Sequence, residues 1–496
     1  MPCDLQRSVK TLPAAHTTVA GVSEQVDAPP QPIPEHTHAP RADLCERWRE
    51  LCSRFLPVAA DNSVWRFSRR ASADAPEQGW KLHVSATLLT ACEVLEKIAP
   101  LLHSRDTLFK APASLLEIHK INSGLHYGYQ QVGKVLTVYP ASPQEAFRLA
   151  RRLYESTRHL SAPVVPYDGR FRPDGCVYYR YGAFSPLEII NHDGTRTPAI
   201  RHPSGHLVPD LRVSACHPEW VTNPFTEPPS PREHDDSHEN PLQTTYRAFR
   251  ALTQRGRGGV YEAVDAGSSP PRLCILKEGR REGEIAWDGR DGVSRVKNEE
   301  RVLRSLAAAG VNAPRVYASF EVEGNYYLVS EFIAGETVES SLSRRRRRLS
   351  LKHGLGLGGR LALLLARIHA AGWVWRDFKP SNVMLTKEGE LRPLDFEGAC
   401  PLAHPDPLPW VTPGFTPPAG RRPAAGSIVY EDLYALGATL YLLLTGELPA
   451  SPAPTPLGRL RRNTPPDVCR LVEALLIADP DRQPAAGDVA RRLLAD

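Results

Sequence analysis

Residues 375–385 read Trp-Arg-Asp-Phe-Lys-Pro-Ser-Asn-Val-Met-Leu, and residues 395–398 read Asp-Phe-Glu-Gly. Transfer of a phosphoryl group needs a carboxylate to receive the proton of the acceptor hydroxyl, a cation near the moving phosphate, and oxygen ligands for magnesium. These two segments offer all three kinds of group. We expect Asp377 to receive the proton and Lys379 to neutralise charge on the phosphate. Asn382 and Asp395 are the expected metal ligands.

The spacing of these residues resembles the HRDLKPxN catalytic loop and the DFG metal loop of protein kinases. Two positions depart from that pattern. Trp375 stands where the family has a histidine, and Glu397 separates Phe396 from Gly398. The histidine is a scaffold residue rather than a reactant, so its replacement leaves the chemistry possible. The alternative reading, an acidic surface loop, loses its support if the other kinase segments occur in order.

The first of these other segments is a glycine-rich stretch at 255–263. It supplies the candidate phosphate-loop residues Gly256, Gly258, Gly259 and Val260. The stretch does not satisfy GxGxxG, because the first two glycine positions would fall on Thr253 and Arg255 if Val260 is the valine of the family. By itself this stretch is a weak signal.

Three further nucleotide-binding residues follow from the resemblance. The sequence Cys-Ile-Leu-Lys at 274–277 resembles the kinase strand whose lysine contacts the nucleotide phosphates, so Lys277 is assigned that role. Glu299 is the expected carboxylate partner of Lys277, and Glu300 is the alternative in the neighbouring register. Glu331 lies in the segment that resembles the hinge, which would hold adenine through backbone groups.

The C-terminal segments complete the resemblance to protein kinases. Residues 412–415 resemble the end of an activation segment, and Asp432 begins a segment resembling the buried helix that anchors the C-lobe. Residues 479–484 resemble the C-terminal arginine motif. The resemblance covers roughly residues 244 to 494 and implies ATP or GTP as the phosphoryl donor, with Mg²⁺ as the metal.

The composition of the chain restricts the remaining possibilities. It has 496 residues, enough for two or three domains, and a net charge of +5 that does not by itself indicate nucleic-acid binding. Nine cysteines without a CxxC pair suggest a reducing cytoplasm, and the first 20 residues have no apolar core of a signal peptide. The most apolar run, residues 433–446, is too short to span a bilayer. We therefore expect a cytoplasmic protein with no nucleic-acid or membrane partner.

The N-terminal half carries a strand with an unusual pattern of basic residues. At 78–86, alternation places Trp80 and Leu82 on one face of a strand. Lys81, His83 and Ser85 share the other face, so a cation lies beside a titratable imidazole. Judged from this pattern alone, such residues are more often solvated or packed than catalytic.

Joined to a kinase with Trp-Arg-Asp and Asp-Phe-Glu loops, this N-terminal half resembles that of the class III lanthipeptide synthetases. Residues 79–86 and 177–184 carry the resemblance most strongly. In that family the N-terminal domain is a phosphoserine/phosphothreonine lyase related to bacterial effector phosphothreonine lyases. The resemblance implies that the kinase phosphorylates Ser and Thr of a ribosomal precursor peptide. The lyase would then remove phosphate, leaving dehydroalanine or dehydrobutyrine.

The resemblance also implies roles for the basic residues. Lys110 is assigned as the base that abstracts the Cα proton, which it can do only when neutral. His83 would protonate the departing phosphate oxygen, and Lys81 would stabilise the enolate-like oxygen. The phosphate would be bound by Lys134, Arg170 and Arg180, with Arg172 as the register competitor of Arg170.

The expected fold is α+β and multidomain, with an N-terminal α+β lyase-like domain followed by a bilobal protein-kinase-like fold. The predicted divisions are a disordered Pro/His-rich tail at 1–42, the lyase-like domain at 43–222, a linker at 223–243 and the kinase-like domain at 244–496. Family members carry a further C-terminal cyclase, whereas this sequence stops directly after the arginine motif. A separate cyclase acting in trans, a product that stays dehydrated, or a truncated relative are the alternatives.

Three hypotheses remain at this point. The leading one is a peptide dehydratase that phosphorylates Ser and Thr and then eliminates phosphate. The second is a plain Ser/Thr kinase whose N-terminal half is regulatory or binds substrate. The third is a pseudokinase scaffold, which the weak glycine stretch and Trp375 favour slightly but the retained Lys277, Asp377, Asn382 and Asp395 oppose.

Overall fold

The computed structural model describes residues 39–59, 64–72, 74–210, 217–225, 240–344, 349–406, 410–418, 429–450, 454–477 and 483–495. Most of the expected tail, most of the expected linker and residues 479–482 of the arginine motif lie outside these ranges. Within them the chain is α+β, as predicted, with an N-terminal domain followed by a two-lobed domain that corresponds to the expected kinase-like region.

The N-terminal domain is built on a seven-stranded sheet in the order β1-β2-β4-β5-β3-β7-β6. A separate three-stranded sheet has the order β10-β9-β8. The elements are α1 (Ala39–Phe55), β1 (Val58–Ala59), β2 (Trp65–Phe67), β3 (Gln78–Val84), α2 (Ala91–His103), β4 (Leu108–Pro112), α3 (Leu115–Ser123), β5 (Leu136–Tyr139), α4 (Pro143–Thr157), β6 (Gly169–Arg170), β7 (Val177–Ala183), β8 (Glu188–Ile190), β9 (Arg196–Arg201) and β10 (Leu207–Pro209).

One face of the large sheet forms the core of this domain. Trp80, Leu82 and Val84 of β3 are buried in one cluster with apolar residues of α1, α2 and α4. Helix α4 begins at a sequence-encoded cap, because the Ser142 side chain accepts a hydrogen bond from Glu145 N at 3.2 Å. The period of two along β3 therefore turns its polar residues to the other face of the sheet.

The N-lobe of the kinase domain is a five-stranded antiparallel sheet in the order β11-β12-β13-β15-β14, accompanied by helix α6. We refer to residues 255–259, where β11 turns into β12, as the glycine-rich hairpin. The elements are α5 (Pro241–Thr244), β11 (Tyr246–Arg255), β12 (Gly258–Asp265), β13 (Arg272–Gly279), α6 (Gly292–Ala308), β14 (Val316–Val322) and β15 (Asn325–Glu331).

The C-lobe is mainly helical, and its core is formed by apolar residues of α8, α9, α11 and α12. Two short antiparallel sheets carry the catalytic and metal loops. The elements are β16 (Gly335–Thr337), α7 (Val338–Ser343), α8 (Leu351–Ala370), β17 (Trp373–Val374), β18 (Val383–Thr386), β19 (Leu391–Pro393), β20 (Cys400–Pro401), α9 (Val429–Thr445), α10 (Leu457–Leu460), α11 (Pro466–Ile477) and α12 (Ala486–Leu493), with 3-10 turns at Tyr129–Gln131 and Pro380–Asn382.

The two domains meet at the glycine-rich hairpin. Gly256 N donates a hydrogen bond to Ser123 O at the end of α3, with a distance of 3.0 Å. A Cβ atom on Gly256 would lie 1.7 Å from Asn122 O, so only glycine fits at this position. Beside this contact, the guanidinium of Arg280 lies 4.8 Å from the ring centroid of Tyr129. The N-terminal domain thus fixes the kinase hairpin from outside the kinase fold.

At both ends of the N-terminal domain, ordered structure extends a few residues beyond the boundaries expected from the sequence. Helix α1 begins at Ala39, four residues before the expected start of the first domain. Phe225, in the expected linker, is buried in the N-terminal core, where it stacks on Tyr179 at 4.0 Å. In the described part of the chain, every helix is too short or too polar to cross a membrane.

Candidate active sites

The carboxylate of Asp377 lies at the centre of the kinase site. Lys379 Nζ is 2.8 Å from Asp377 Oδ1, and Asn382 Nδ2 donates to Asp377 Oδ2 at 2.8 Å. Thr412, which the sequence analysis assigned only to the end of the activation segment, donates its hydroxyl to Asp377 Oδ1 at 2.7 Å. Burial and the neighbouring Asp395 raise the pKa of Asp377 above its ordinary value. A carboxylate with a raised pKa is a better proton acceptor, which fits the predicted role.

Lys277 lies in a group of three carboxylates. Its Nζ forms an ion pair with Glu299 on α6 and lies 3.1 Å from Asp395 Oδ1. Glu397 Oε1 lies 2.8 Å from Lys277 Nζ. Burial by itself would lower the pKa of Lys277, but the three carboxylates raise it well above its ordinary value. Lys277 is therefore a fixed cation at the place predicted for phosphate binding.

The structure separates the two register candidates on α6. Glu299 faces Lys277, and its pKa is raised to about 7 by burial and by the two neighbouring carboxylates. Glu300 instead accepts hydrogen bonds from the hydroxyls of Tyr326 and Ser319 on the sheet. Only Glu299 is thus in the position expected for the partner of Lys277.

Trp375 performs a structural role in the catalytic loop. It is fully buried, its ring stacks on Phe396 at 5.0 Å, and its Nε1 donates to Asp395 O at 3.0 Å. The tryptophan therefore holds the backbone of the metal loop at a position where kinases have a scaffold histidine. Its presence gives no reason to exclude catalysis.

Asp432, which the sequence assigned to a helix that anchors the C-lobe, binds the backbone of the catalytic loop. Its carboxylate accepts hydrogen bonds from the backbone amides of Trp375 at 2.8 Å and Arg376 at 2.6 Å. Arg376 has a φ of 66°, a conformation that non-glycine residues rarely adopt. The two charge-assisted hydrogen bonds stabilise this strained turn just before Asp377.

The hydrogen bonds of the two predicted metal ligands leave oxygen atoms that could bind a cation. Asn382 uses its Nδ2 for Asp377, which leaves its carbonyl oxygen as the atom that can bind a cation. Asp395 has a φ of 59° and offers carboxylate oxygens. Burial would raise the pKa of Asp395, but the nearby Lys277 and Arg257 lower it below its ordinary range. Hard oxygen atoms of this kind suit Mg²⁺. Ligand atoms of Glu299, Asp395 and Glu397 also lie within 4.8 Å of one another, so an acidic neighbourhood surrounds the predicted ligand.

Glu331 at the hinge is bound by the protein itself. Its carboxylate lies 2.8 Å from Arg392 Nη2, and its backbone amide donates to Arg315 O at 2.9 Å. The side chain is thus directed to Arg392. A nucleotide contact from this segment would have to come from other backbone groups.

In the N-terminal domain, the sheet brings the predicted lyase residues to one face. The pairing places Lys110 opposite Thr137, Thr137 opposite His83, His83 opposite Tyr178, and Tyr178 opposite Arg170. Residues that lie opposite each other in antiparallel strands point to the same face. Lys81 lies opposite Arg180 on that same face, one pleat repeat away. We call Lys81, His83, Lys110, Arg170 and Arg180 the cationic face.

A buried carboxylate organises the centre of this face. Asp168 Oδ2 lies 2.5 Å from His83 Nδ1, and Asp168 Oδ1 lies 2.8 Å from Lys134 Nζ. Burial lowers the pKa of His83 to about 4 despite the neighbouring carboxylate. Burial would raise the pKa of Asp168, but His83 and Lys134 lower it to about 2. At neutral pH the group therefore consists of a neutral imidazole, a carboxylate and an ammonium ion.

This arrangement fixes the tautomer of His83. A carboxylate only accepts hydrogen bonds, so Nδ1 of the neutral ring carries the proton and donates it to Asp168. The other ring nitrogen, Nε2, is then unprotonated. Lys134 already forms an ion pair with Asp168. To bind phosphate as predicted, its ammonium group would have to contact both the Asp168 carboxylate and the phosphate.

The remaining residues of the cationic face have protein partners as well. Arg180 forms a buried ion pair with Asp210, which follows β10. Lys81 Nζ lies 5.8 Å from the ring centroid of Tyr139, and Lys110 Nζ lies 4.1 Å from that of Trp65. Arg170 Nε donates to Gly175 O at 2.8 Å. Arg172, the competitor of Arg170, lies beyond β6 and is stacked on Phe171 at 4.7 Å.

Sequence reasoning missed the acidic partners of these sites. Asp168 and Asp210 are separated from His83 and Arg180 by 85 and 30 residues. No local pattern connects such distant positions. The one available signal was the dipeptide Asp168-Gly169 at the start of a strand that bears Arg170, and it does not specify a partner.

Two family models match the chain in consecutive regions. The model for the RamC N-terminal domain matches residues 58–237, and the model for the protein kinase domain matches residues 250–477. The first region contains the complete cationic face, and the second contains Lys277, Asp377 and Asp395.

Individual relatives match the chain to different extents. The probable SapB synthase of Streptomyces coelicolor is 33% identical over 406 residues, which are 78% of this chain and 42% of that relative. Serine/threonine-protein kinase F of Synechocystis is 31% identical over 42% of this chain and 45% of its own length. Serine/threonine-protein kinase PknA of Mycobacterium tuberculosis is 29% identical over 48% of this chain and 58% of its own. The chain spans less than half the length of the SapB synthase.

Proposed function

We propose that this chain is a peptide dehydratase, because it joins a match to the RamC N-terminal domain to a match to the protein kinase domain and resembles the class III lanthipeptide synthetases. Its kinase domain would phosphorylate Ser and Thr of a ribosomally made precursor peptide with ATP or GTP. Its N-terminal domain would eliminate the phosphate to leave dehydroalanine or dehydrobutyrine.

In the first half-reaction, Asp377 accepts the proton of the peptide hydroxyl as that oxygen attacks the terminal phosphate. Lys379, bound to the same carboxylate, would neutralise the charge that develops on the transferred group. When bound, Mg²⁺ would neutralise phosphate charge, and Asp395 and Asn382 are the residues suited to hold it. Thr412 orients the Asp377 carboxylate through its hydroxyl.

In the second half-reaction, Lys110, which must lose its own proton to act as a base, removes the Cα proton of the phosphorylated residue. The electron pair of the C–H bond forms the Cα–Cβ double bond, and the Cβ–O bond breaks with its electrons on phosphate. Lys81 stabilises the negative charge that develops on the neighbouring carbonyl oxygen. Arg170 and Arg180 bind the phosphate oxygens. The leaving phosphate takes its proton from Nε2 of His83.

The protonation state of His83 sets a condition on this step. With a pKa lowered to about 4, the free ring has no proton on Nε2 at neutral pH. A bound phosphate dianion beside the ring favours the imidazolium, because an opposite charge favours the charged form. Asp168 stabilises the same cation through Nδ1. We therefore expect His83 to gain its proton when the phosphorylated peptide binds.

The observation that supports the proposal most strongly is the row of residues across the sheet. Five residues from four strands, far apart in sequence, share one face. At the centre of this row lies the buried imidazole of His83, which is bound to the Asp168 carboxylate, and Lys134 is bound to the same carboxylate. Phosphate elimination needs this set of a base, an acid and several cations within one pocket.

Mass spectrometry of a precursor peptide tests the proposal. The full chain is incubated with nucleotide, Mg²⁺ and a candidate peptide encoded next to its gene. We expect wild type to give a mass loss of one water per modified residue. His83→Ala and Lys110→Ala should instead stall at a gain of phosphate, because removing a general acid or base costs about 10²–10⁴-fold in rate.

Two controls separate the half-reactions. Asp377→Asn should leave unphosphorylated peptide intact but still eliminate phosphate from a synthetic phosphopeptide without nucleotide. Lys97→Ala, a change on the exposed surface of α2, should behave as wild type. If phosphopeptide accumulates with wild type and Lys110→Ala alike, the lyase assignment is wrong and the chain is a plain Ser/Thr kinase.

A further inference from the structure

The side chain of Arg257, at the tip of the glycine-rich hairpin, turns into the kinase cleft. Its Nε lies 3.3 Å from Glu397 Oε2 and 4.0 Å from Glu284 Oε2, and the side chain is 19% exposed. Burial would lower the pKa of Arg257, but the carboxylates of these two residues and those of Asp395 and Asp377 raise it. The guanidinium therefore lies in the electrostatic field of both the proton acceptor and the metal loop.

The backbone that carries this side chain is fixed from both sides. Arg257 O accepts a hydrogen bond from Arg280 N at 2.8 Å, and a Cβ atom on Gly292 would lie 1.8 Å from the same oxygen. On the other side, Gly256 N is bound to Ser123 O of the N-terminal domain. The backbone at Arg257 is thus held in place by hydrogen bonds and close packing. Such preorganisation is typical of a binding residue rather than a solvated surface arginine.

Glu397 connects Arg257 to the predicted phosphate-binding lysine. Its Oε1 lies 2.8 Å from Lys277 Nζ, while its Oε2 faces Arg257. The Glu397 side chain is only 6% exposed. One buried carboxylate therefore bridges the two cations that border the cleft between hairpin and metal loop. This residue stands at the position where the sequence departs from Asp-Phe-Gly.

From this geometry we propose that Arg257 is a phosphate-binding residue of the kinase reaction. Glu397 holds Arg257 and Lys277 until the phosphates of a nucleoside triphosphate replace its carboxylate on both cations. The inference rests on the kinase half of the proposed function and does not depend on the lyase half. It also explains the irregular hairpin, in which Thr253 and Arg255 occupy expected glycine positions. A side-chain cation supplies what a longer glycine loop would supply through backbone amides.

The chemistry of the exchange is simple. A guanidinium binds carboxylate and phosphate through the same parallel pair of N–H donors. Phosphate oxygens can therefore take over the contact of Glu397 without a change in the position of Arg257. The exchange gives both cations a partner of higher charge than the carboxylate of Glu397.

Equilibrium binding to the full-length protein tests the proposal with four probes: ATP, GTP, adenosine and guanosine, each with and without Mg²⁺. Arg257→Met should weaken binding of the triphosphate by about 10–100-fold, the range for a hydrogen bond between charged groups. The matching nucleoside should bind within about twofold of wild type, since it has no phosphate. Arg257→Lys should recover part of the loss. Arg247→Met, on the exposed side of β11 in the same lobe, is the matched control.

Glu397→Gln separates phosphate binding from a purely structural ion pair. If Arg257 serves only to pair with Glu397, then Arg257→Met should have no further effect on triphosphate binding in the Glu397→Gln background. We expect instead that its full effect persists there, and that Glu397→Gln alone binds the triphosphate as tightly as wild type or more tightly. Thermal unfolding without nucleotide shows that each variant is folded.

Three results would overturn the proposal: unchanged triphosphate affinity in Arg257→Met, equal losses for triphosphate and nucleoside, or disappearance of the effect in the Glu397→Gln background. In each case wild type still binds nucleotide, so the kinase assignment survives. If wild type binds neither ATP nor GTP, the kinase half of the proposed function fails together with this inference.

Discussion

Substitution of alanine for Gly256 tests whether the N-terminal domain fixes the glycine-rich hairpin. The added Cβ would lie 1.7 Å from Asn122 O. This oxygen belongs to the backbone at the end of α3, so it cannot rotate away as a flexible side chain could. The substitution must push the hairpin and α3 apart, and it breaks the hydrogen bond from Gly256 N to Ser123 O.

The magnitude follows from these two contacts. Overpacking of this kind costs about 1–3 kcal/mol, and a lost hydrogen bond adds about 1 kcal/mol. The strain also reaches the segments that follow β3 and precede Lys134, because the buried side chain of Asn122 donates to Ala86 O at 2.9 Å and accepts from Gly133 N at 3.2 Å. We expect nucleotide affinity to fall about tenfold, the equivalent of about 1.4 kcal/mol.

Hydrogen exchange and calorimetric nucleotide binding, both on the full chain, measure the effect. Amides in residues 115–133 should exchange faster in Gly256→Ala than in wild type, because the end of α3 loses its support. Gly356→Ala in α8 is the matched control, since a Cβ there meets no atom within 4 Å. The control should be neutral or stabilising by up to about 1 kcal/mol.

Two outcomes would refute this reasoning. If the exchange rates in residues 115–133 and the nucleotide affinity both match those of the control, the domains are not held at this contact. If affinity falls while exchange in α3 stays unchanged, the methyl group acts within the kinase domain alone.

Three further predictions concern the support of the two sites. Because the pKa of His83 is lowered from 6.5 to about 4, the unfolded chain binds its proton first as the pH falls. The N-terminal domain should therefore lose up to about 3 kcal/mol of unfolding free energy between about pH 6.5 and pH 4. When the unfolding free energy is measured by denaturation at a series of pH values, His83→Gln should remove most of this decrease. An unchanged decrease would contradict the lowered pKa of His83. Trp375→Phe keeps the ring stack but removes the hydrogen bond to Asp395 O, so thermal unfolding should report a loss of about 1 kcal/mol with kinase activity retained; full loss of phosphorylation would mean that the indole does more than support the loop. Asp432→Ala leaves two buried amides of the catalytic loop without their acceptor, at about 1–3 kcal/mol each, and should abolish phosphorylation of the precursor peptide; near-normal kcat would show that the strained turn does not need this anchor.

The kinase site could be predicted largely from local spacing. Asp377, Lys379 and Asn382 lie within six residues, so one loop conformation brings them together. The period of two along β3 likewise placed Lys81 and His83 on one face before any pairing was known. The sequence alone left Glu299 and Glu300 open, because a shift of one residue on a helix turns a side chain by about 100°.

The sequence by itself determined the fold class, the order of the two domains and the residues that resemble those of kinases and lanthipeptide lyases. Only the tertiary structure decided their electrostatic partners: Asp168 for His83, Asp210 for Arg180, and Glu397 for both Lys277 and Arg257. The physical reason is that helix and strand periods are properties of neighbouring residues. Ion pairs between distant segments depend on sheet register and on how two domains pack, and no short pattern in the chain encodes either one.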